Sequence, residues 1–200
     1  MLPGKTALSV ASAVSDGKLC IVHVGVNNDM FWGFVNLTDS TFSGWTILPG
    51  KTSMSVTAAA SDGALYIVHV GMNYQMFWGS VNLTDSSFSG WTMLPGITYL
   101  SPTAAASGKT LYLAHVGVTG DMFWGGVNLS DSSFTGWTML PGKTELRMAL
   151  TVSEGKLYTV HVGVNDDMFW GSVNLSDSSF SGWTMLPGKT NLSASAVAFG

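Results

Sequence analysis

The chain repeats itself every 46 residues, four times over, without one insertion or deletion. A fixed period of roughly 20 to 50 residues indicates a repeat architecture, in which each unit buries its core only against its neighbours. Two tryptophans mark each unit. The Trp32 series is Trp32, Trp78, Trp124 and Trp170, and the Trp45 series is Trp45, Trp91, Trp137 and Trp183. We therefore expect a single domain over residues 1–200.

Each repeat holds four apolar runs of strand length, separated by turn residues. In the first repeat these runs span residues 8–14, 18–25, 29–36 and 44–48. Asp16-Gly17 is a strong hairpin signal, and Pro49 is expected to end the fourth strand because proline lacks an N–H. Four antiparallel strands in about 45 residues are typical of a propeller blade. The sequence therefore predicts an all-β fold, a β-propeller of four-stranded antiparallel blades.

The repeats run approximately over residues 1–46, 47–92, 93–138 and 139–184, with a closing segment at 185–200. Residues 192–199 restate the first run a fifth time, which predicts one extra C-terminal strand. This strand has three uses: it can complete a four-bladed ring, displace the N-terminal copy, or join two chains into a larger ring. We prefer a single closed ring of four blades, because closure removes free sheet edges. A homodimer that shares blades or strands is the alternative.

Composition excludes several classes of function. The formal charge is -4, the lysines are spread singly and Arg147 is the lone arginine, so no basic face can neutralise nucleic-acid phosphates. No apolar run approaches the ~20 residues that span a bilayer, so membrane insertion is not expected. Cys20 replaces a tyrosine found in the other repeats and is interpreted as a packing residue. The N-terminus lacks the features of a signal peptide, so we expect cytoplasmic synthesis and leave release or extracellular action open.

The histidine series and the GKT motif are interpreted as structural. GKT lacks the upstream glycine of a phosphate-binding loop and has no helix after it. A histidine in the middle of each apolar strand is expected to be a core residue that hydrogen-bonds a neighbouring blade, with ligand or metal contact as the alternatives. The histidines are His23, His69, His115 and His161. No metal and no cofactor are predicted.

Enzymatic activity is not expected. The turn around Asp39 is similar to the Asp-box of sialidase propellers, but its spacing to Trp45 is one residue longer, and a single arginine cannot supply a sialidase site. Glycoside hydrolysis uses two carboxylates in different environments, whereas the aspartates here recur as equivalent copies. A hydrolase therefore ranks third among the functions considered.

Equivalent copies favour binding at several equal sites. Aromatic faces with short amides and carboxylates suit sugars, and repetition raises avidity without new contacts. The predicted stacking residues are the Trp32 and Trp45 series, one of which is expected to be core. The predicted polar partners are Asn27, Asn73, Asn165, Asp29, Asp121 and Asp167.

The order of residues in each repeat resembles the blade of bacterial and fungal propeller lectins of the Photorhabdus type and, more distantly, of the tachylectin and tectonin groups. The matching residues are Asp16-Gly17-Lys18-Leu19, Gly25, Phe31-Trp32, Ser43-Gly44-Trp45, Leu48, Gly50 and Thr52. The resemblance implies sugar sites in the clefts between blades, several per molecule, without metal. Four repeats stand here where those lectins have five to seven, and Val24 stands where the Photorhabdus-type blade tends to carry arginine.

These observations together predict a multivalent carbohydrate-binding lectin whose partners are glycans or glycoconjugates. The alternative from another class is a protein–protein scaffold or a toxin-accessory propeller.

Overall fold

The computed structural model describes residues 2–197, which form sixteen β-strands and no helix. The strands make four antiparallel four-stranded sheets, each in simple chain order. Each sheet corresponds to one repeat and is called a blade. The all-β prediction and the prediction of four-stranded antiparallel blades are confirmed.

Two compact units divide the chain, Met1–Ile97 and Thr98–Gly200. Unit 1 holds blade 1 with strands β1 Ala11–Ser15, β2 Lys18–Val24, β3 Asp29–Asn36 and β4 Thr46–Lys51, and blade 2 with β5 Thr57–Ser61, β6 Ala64–Val70, β7 Gln75–Asn82 and β8 Thr92–Ile97. Unit 2 holds blade 3 with β9 Thr103–Ser107, β10 Thr110–Val116, β11 Asp121–Asn128 and β12 Thr138–Lys143, and blade 4 with β13 Ala149–Ser153, β14 Lys156–Val162, β15 Asp167–Asn174 and β16 Thr184–Lys189.

The first hairpin of blade 1 has the turn that its sequence predicts. Ser15 pairs with Lys18, so the loop is Asp16-Gly17 alone. Both loop residues have positive φ, 50° and 70°. This is the type I′ geometry, whose twist matches that of the flanking strands, and Asp-Gly supplies it at low cost.

The cores lie between the two blades of each unit. In unit 1 the first strands β1 and β5 contact each other, and their small side chains allow this close approach. Cys20, Val22 and Trp32 of blade 1 pack against Val56 and Ile67 of blade 2. Cys20 is fully buried there, as predicted for a packing residue, and burial raises the pKa of its thiol to about 11. Unit 2 repeats this packing with Trp124 and Leu140 of blade 3 against Met148 and Leu157 of blade 4.

The fourth strand differs from the prediction, because it continues through Pro49 to Lys51. Met30 pairs with Leu48 and Asp29 pairs with Lys51, so Pro49 and Gly50 bulge out of the ladder. β4 is an edge strand that pairs only with β3, and an edge strand tolerates proline where its N–H would face solvent. Gly50 has a φ of 89°, which a residue with a side chain rarely adopts.

The predicted extra C-terminal strand is not formed over residues 192–197, and residues 198 and 199 of that prediction lie outside the described part. In every blade the first strand is held by its ladder with the second strand, such as Ala11 with Val22. No described strand pairs with residues 192–197 in this way, and an unpaired segment has no ladder to stabilise it. Closure into one four-bladed ring stays a prediction.

Candidate functional site

An aromatic cluster recurs at the same place in each blade. In blade 1 the His23 ring stacks on Phe31 with centroids 5.3 Å apart, and the edge of Trp45 meets His23 at 4.5 Å. Phe42 meets Trp45 edge-on at 4.9 Å. The corresponding distance between histidine and Trp45-series centroids is 4.3 Å in blades 2 and 3 and 4.2 Å in blade 4. The cluster is therefore a property of the repeat.

Strand register and one close approach build this cluster. His23 and Phe31 are direct partners across β2 and β3, so their rings share one face. The long turn after β3 folds back through a bridge between Val35 and Phe42. A Cβ on Gly33 would lie 2.4 Å from the Gly44 carbonyl oxygen, so glycine is required at this position. The turn then places Trp45 in contact with His23.

In blades 1, 2 and 4, the indole N–H of the Trp45 series joins the blade to the chain segment before it. Trp91 Nε1 donates to the Pro49 carbonyl at 2.7 Å, and Trp183 Nε1 donates to the Pro141 carbonyl at 2.6 Å. Both acceptors belong to the last strand of the preceding blade. In blade 1 the acceptor is the carbonyl of Pro3, at 2.5 Å from Trp45 Nε1. This bond fixes the orientation of the indole ring.

Two equivalent pockets open beside this cluster, one on blade 1 and one on blade 4. Their volumes are about 230 Å³ and 250 Å³. The blade 1 pocket is lined by Gly4, Lys5, His23, Gly25, Val26, Asn27, Asp29, Phe31 and Trp45. The blade 4 pocket is lined by Gly142, Lys143, His161, Gly163, Val164, Asn165, Asp167, Phe169 and Trp183. Each pocket therefore combines an aromatic wall with a polar rim.

The polar rim is organised by an ion pair. Lys51 Nζ lies 2.8 Å from Asp29 Oδ1 and donates to the Asn27 carbonyl at 3.0 Å. In blade 2 both partners change together, to Gln75 and Ile97. The paired change indicates a specific contact, although an exposed pair contributes only about 0–1 kcal/mol to stability. The pair holds Asp29 at the pocket mouth.

The same pairing recurs in unit 2. Lys143 lies 3.1 Å from Asp121, and Lys189 lies 3.2 Å from Asp167. The Thr119 hydroxyl, followed by Lys143, lowers the pKa of the Asp121 carboxyl. Asp121 is therefore anionic at neutral pH and accepts a hydrogen bond from the Thr119 hydroxyl at 2.6 Å.

The histidines are core residues, as predicted, but the predicted hydrogen bond is missing at Nδ1. All four are buried, and the Nδ1 atom of each has no hydrogen-bond partner. The stacked Phe31-type ring and the Trp45-type edge surround the imidazole with apolar groups instead. Burial lowers the pKa of His69, His115 and His161 to about 4, so these rings are neutral at pH 7.

The two tryptophan series occupy different environments. Trp32, Trp78 and Trp124 are 2%, 6% and 8% exposed and belong to the packed interior, whereas Trp170 in blade 4 is 38% exposed. The Trp45 series is half-buried at the edge of each blade. Of the predicted residues, the structure brings Trp45, Asn27 and Asp29 together in one pocket and their blade 4 equivalents in the other.

Six lining positions of the blade 1 pocket are absent from the predicted site residues: Gly4, Lys5, His23, Gly25, Val26 and Phe31. The GKT motif was interpreted only as a turn, yet its glycine and lysine form one wall. The signal that points to His23 and Phe31 is their cross-strand spacing, repeated in every unit. Asn73 lies in the corresponding turn of blade 2, where it donates to Gln75 at 2.6 Å.

The repeated turn aspartates serve the backbone. Asp39 accepts from the Thr41 amide at 2.9 Å and from the Thr41 hydroxyl at 2.7 Å, and the hydroxyl bond in particular lowers the pKa of its carboxyl. Asp85, Asp131 and Asp177 make the corresponding bonds to a serine amide. Within residues 2–197, no three His, Cys, Asp or Glu side chains come close enough to hold a metal ion.

No protein-family model matches the sequence, and no curated protein matches it. Solved structures match in fold. A lectin from the fungus Aleuria aurantia, described as a six-bladed β-propeller, has a TM-score of 0.62 at 10% identity, with 96% of this chain and 70% of the lectin covered. The fold is that of a β-propeller.

Other propellers of different function match equally well. Hydrazine synthase from Kuenenia stuttgartiensis has a TM-score of 0.65 at 10% identity, covering 88% of this chain and 48% of that one. TolB from Acinetobacter baumannii has a TM-score of 0.59 at 13% identity, covering 86% and 42%. The chain spans about half the length of hydrazine synthase and of AztD from Citrobacter koseri. At such identities the likeness concerns the fold alone. The described residues include no helix able to cross a membrane.

Proposed function

We propose that this propeller is a carbohydrate-binding protein with several equivalent sites, one at each aromatic pocket of the Trp45 series. The observation that carries the proposal is the recurrence of one pocket, with the same lining, on blades 1 and 4. Pockets of about 230–250 Å³ are smaller than most drug-binding sites and suit a single sugar ring. Two or more such sites on one chain increase avidity for a branched or surface-bound glycan.

The pocket offers the two kinds of contact that a sugar needs. The aromatic wall of Phe31 and Trp45 suits the apolar C–H face of a pyranose ring. Asp29 accepts from hydroxyl groups, and Asn27 and Lys5 donate to them at the rim. Val26 is exposed at the mouth of the pocket, where it adds apolar surface without taking part in the core. The blade 4 pocket supplies the same set.

Fucosylated glycans are the first ligands to test. The Aleuria aurantia lectin is described as fucose-specific, and a variant of it was solved in complex with Fucα1-6GlcNAc. Both share only the fold with this chain, at 9% identity. The fold therefore suggests the sugar, while the pocket residues suggest the contacts.

Binding without turnover and without metal completes the proposal. Asp29 is the one carboxylate among the lining residues of the blade 1 pocket, whereas glycoside hydrolysis uses two carboxylates in different environments. A protein-binding scaffold is the second candidate, favoured by fold neighbours such as TolB that are not described as lectins.

The test is a glycan array followed by calorimetry with free L-fucose, each run with and without a chelator. We expect binding to a defined terminal sugar that chelation does not change. In the double variant Val26→Asp, Val164→Asp, a carboxylate at each pocket mouth should weaken affinity about tenfold or more, since displacing or desolvating a charge costs at least 1.4 kcal/mol.

The matched control is the double variant Ile47→Asp, Met185→Asp. These two side chains are equally exposed but lie on the outer strands and line neither pocket. Its affinity should equal that of the unmodified protein. Equal losses in both double variants, or a blank array with the folded protein, would count against the pocket and favour the scaffold.

A further inference from the structure

The N-terminal segment of residues 2–8, here called the arm, occupies the place of a strand from another blade. Its Pro3 carbonyl accepts from Trp45 Nε1, as the Pro49 carbonyl accepts from Trp91 Nε1 in blade 2. A Cβ on Gly4 would lie 3.5 Å from the Trp45 nitrogen, and one on Gly50 would lie 3.8 Å from the Trp91 nitrogen. The arm therefore makes the same contacts as the end of a fourth strand.

The arm is held less firmly than the end of a fourth strand. Thr52 and Thr144, which follow β4 and β12, are fully buried, and their amides donate to the second turn of their own blade at 3.0 Å. Thr6 is the equivalent residue of the arm and is exposed. Lys5 has no ion pair within residues 2–197, whereas the equivalent Lys51 pairs with Asp29.

The face of blade 1 that lies against the arm, here called its leading face, is incompletely covered. Val10 is 52% exposed, while the equivalent Val56 and Met148 of blades 2 and 4 are 2% exposed. A cavity of about 150 Å³ remains between the arm and the blade, lined in part by Leu2, Val10 and Ile21. The arm therefore covers this face less completely than a blade covers Val56 or Met148.

Blade 4 carries the complementary surface. Residues 186–190 read Leu-Pro-Gly-Lys-Thr, identical to residues 2–6, and here they end a complete sheet. Lys189 already pairs with Asp167. In blades 1 and 3 the face that carries Trp32 and Trp124, here called the trailing face, is covered by the following blade of the same unit. On the trailing face of blade 4 the equivalent Trp170 is exposed.

We propose that blade 4 of a second copy of this chain displaces the arm and packs against blade 1, forming a head-to-tail assembly. The incoming residues 186–190 reproduce the contacts of the arm with Trp45, and they bring a whole sheet that covers Val10 and Trp170. The packing at this interface is of the same kind as the packing of blade 1 on blade 2. The arm competes with the second copy for the same place on blade 1.

The exchange also rebuilds the blade 1 pocket. Gly4 and Lys5 of the arm line that pocket, and Gly188 and Lys189 of the second copy take their place. This consequence for ligands rests on the proposed carbohydrate binding, but the assembly itself does not. Its tests contain no sugar, so the failure of one proposal is distinguishable from the failure of the other.

The experiment is sedimentation velocity of the full chain over a concentration series. We expect the mass to rise above the 21.1 kDa of one chain as concentration increases. Trp170→Lys disables the trailing face and Val10→Lys the leading face, both at exposed positions. Because the interface is head-to-tail, each variant alone should stay monomeric, while a mixture of the two should form a one-to-one complex.

The control for the trailing face is Met185→Lys, on an adjacent strand but at a position exposed in every blade. It should associate like the unmodified chain. Gly4→Ala should weaken the arm, because Gly4 has a φ of 111° and lies against Trp45, and should tighten association about tenfold relative to Ala7→Ser. A chain that stays monomeric throughout, or two lysine variants that fail to combine although both are folded, would overturn the proposal.

Discussion

The Trp32 and Trp45 series are the same residue type at the same period, yet they do different work. Trp32 lies in the interior between two blades and is 2% exposed. Trp45 lies at the edge of its blade, half-buried, with its indole N–H on a carbonyl of the preceding segment. The first series stabilises the packing of blades on each other, and the second bonds preceding chain segments and lines the pockets of blades 1 and 4. Repetition therefore does not by itself separate core residues from binding residues.

The largest effect is expected inside the Trp32 series. Trp32→Ala should lower the free energy of unfolding by about 3–5 kcal/mol, because it removes a buried indole and leaves a cavity. Trp170→Ala should cost about half as much, since Trp170 is 38% exposed and has already lost part of its packing. Urea denaturation followed by circular dichroism, at a concentration where the chain is monomeric, measures both values. Equal losses would mean that the trailing face of blade 4 is covered.

The second effect is a loss of stability in acid, which acts through the histidines that contact the Trp45 series. The folded-state pKa of His69, His115 and His161 is about 4, below the ordinary value of 6.5. The unfolded chain therefore binds more protons between these values. The stabilisation is complete above pH 6.5 and is lost as the pH falls toward 4.

Thermal unfolding of the protein and of His161→Gln across this pH range checks that expectation. The free energy of unfolding of the variant should fall less steeply as the pH falls, because one fewer histidine takes up a proton on unfolding. A variant with an unchanged slope would show that His161 is not among the groups responsible.

The smallest effect is expected for the indole N–H of the Trp45 series. Trp91→Phe keeps an aromatic ring against His69 but loses the 2.7 Å bond to Pro49, which contributes about 1 kcal/mol. The Pro49 carbonyl is then left to water at an exposed position. Thermal melts of Trp91→Phe beside Trp78→Ala measure the difference. If Trp91→Phe were the more damaging of the two, the comparison between the series would be reversed.

The fold follows from local signals in the sequence. Apolar runs of strand length, the Asp16-Gly17 turn and the fixed period are enough to define blades and their strand order. The predicted end of β4 at Leu48 is wrong, because proline alone does not end an edge strand. Whether Pro49 ends a strand depends on whether its strand is an edge, and that is decided by tertiary pairing.

The site was predictable only in part. Asn27, Asp29 and Trp45 were named from their chemistry, and the structure places them in one pocket. Lys5 and Gly4 were not, because their wall comes from a segment distant from Trp45 in sequence. The burial that separates Trp32 from Trp45 also depends on packing between blades, which a single repeat does not contain.

The proline bulge at the outer edge of every blade has a consequence for a chain built of near-identical units. Similar strands can pair wrongly with one another, and open edges recruit further chains into fibrils. Pro49, Pro95, Pro141 and Pro187 each stand on an outer strand. Each removes an N–H from the row that a foreign strand would need. The repeated proline therefore protects a highly self-similar protein against aggregation along its rim.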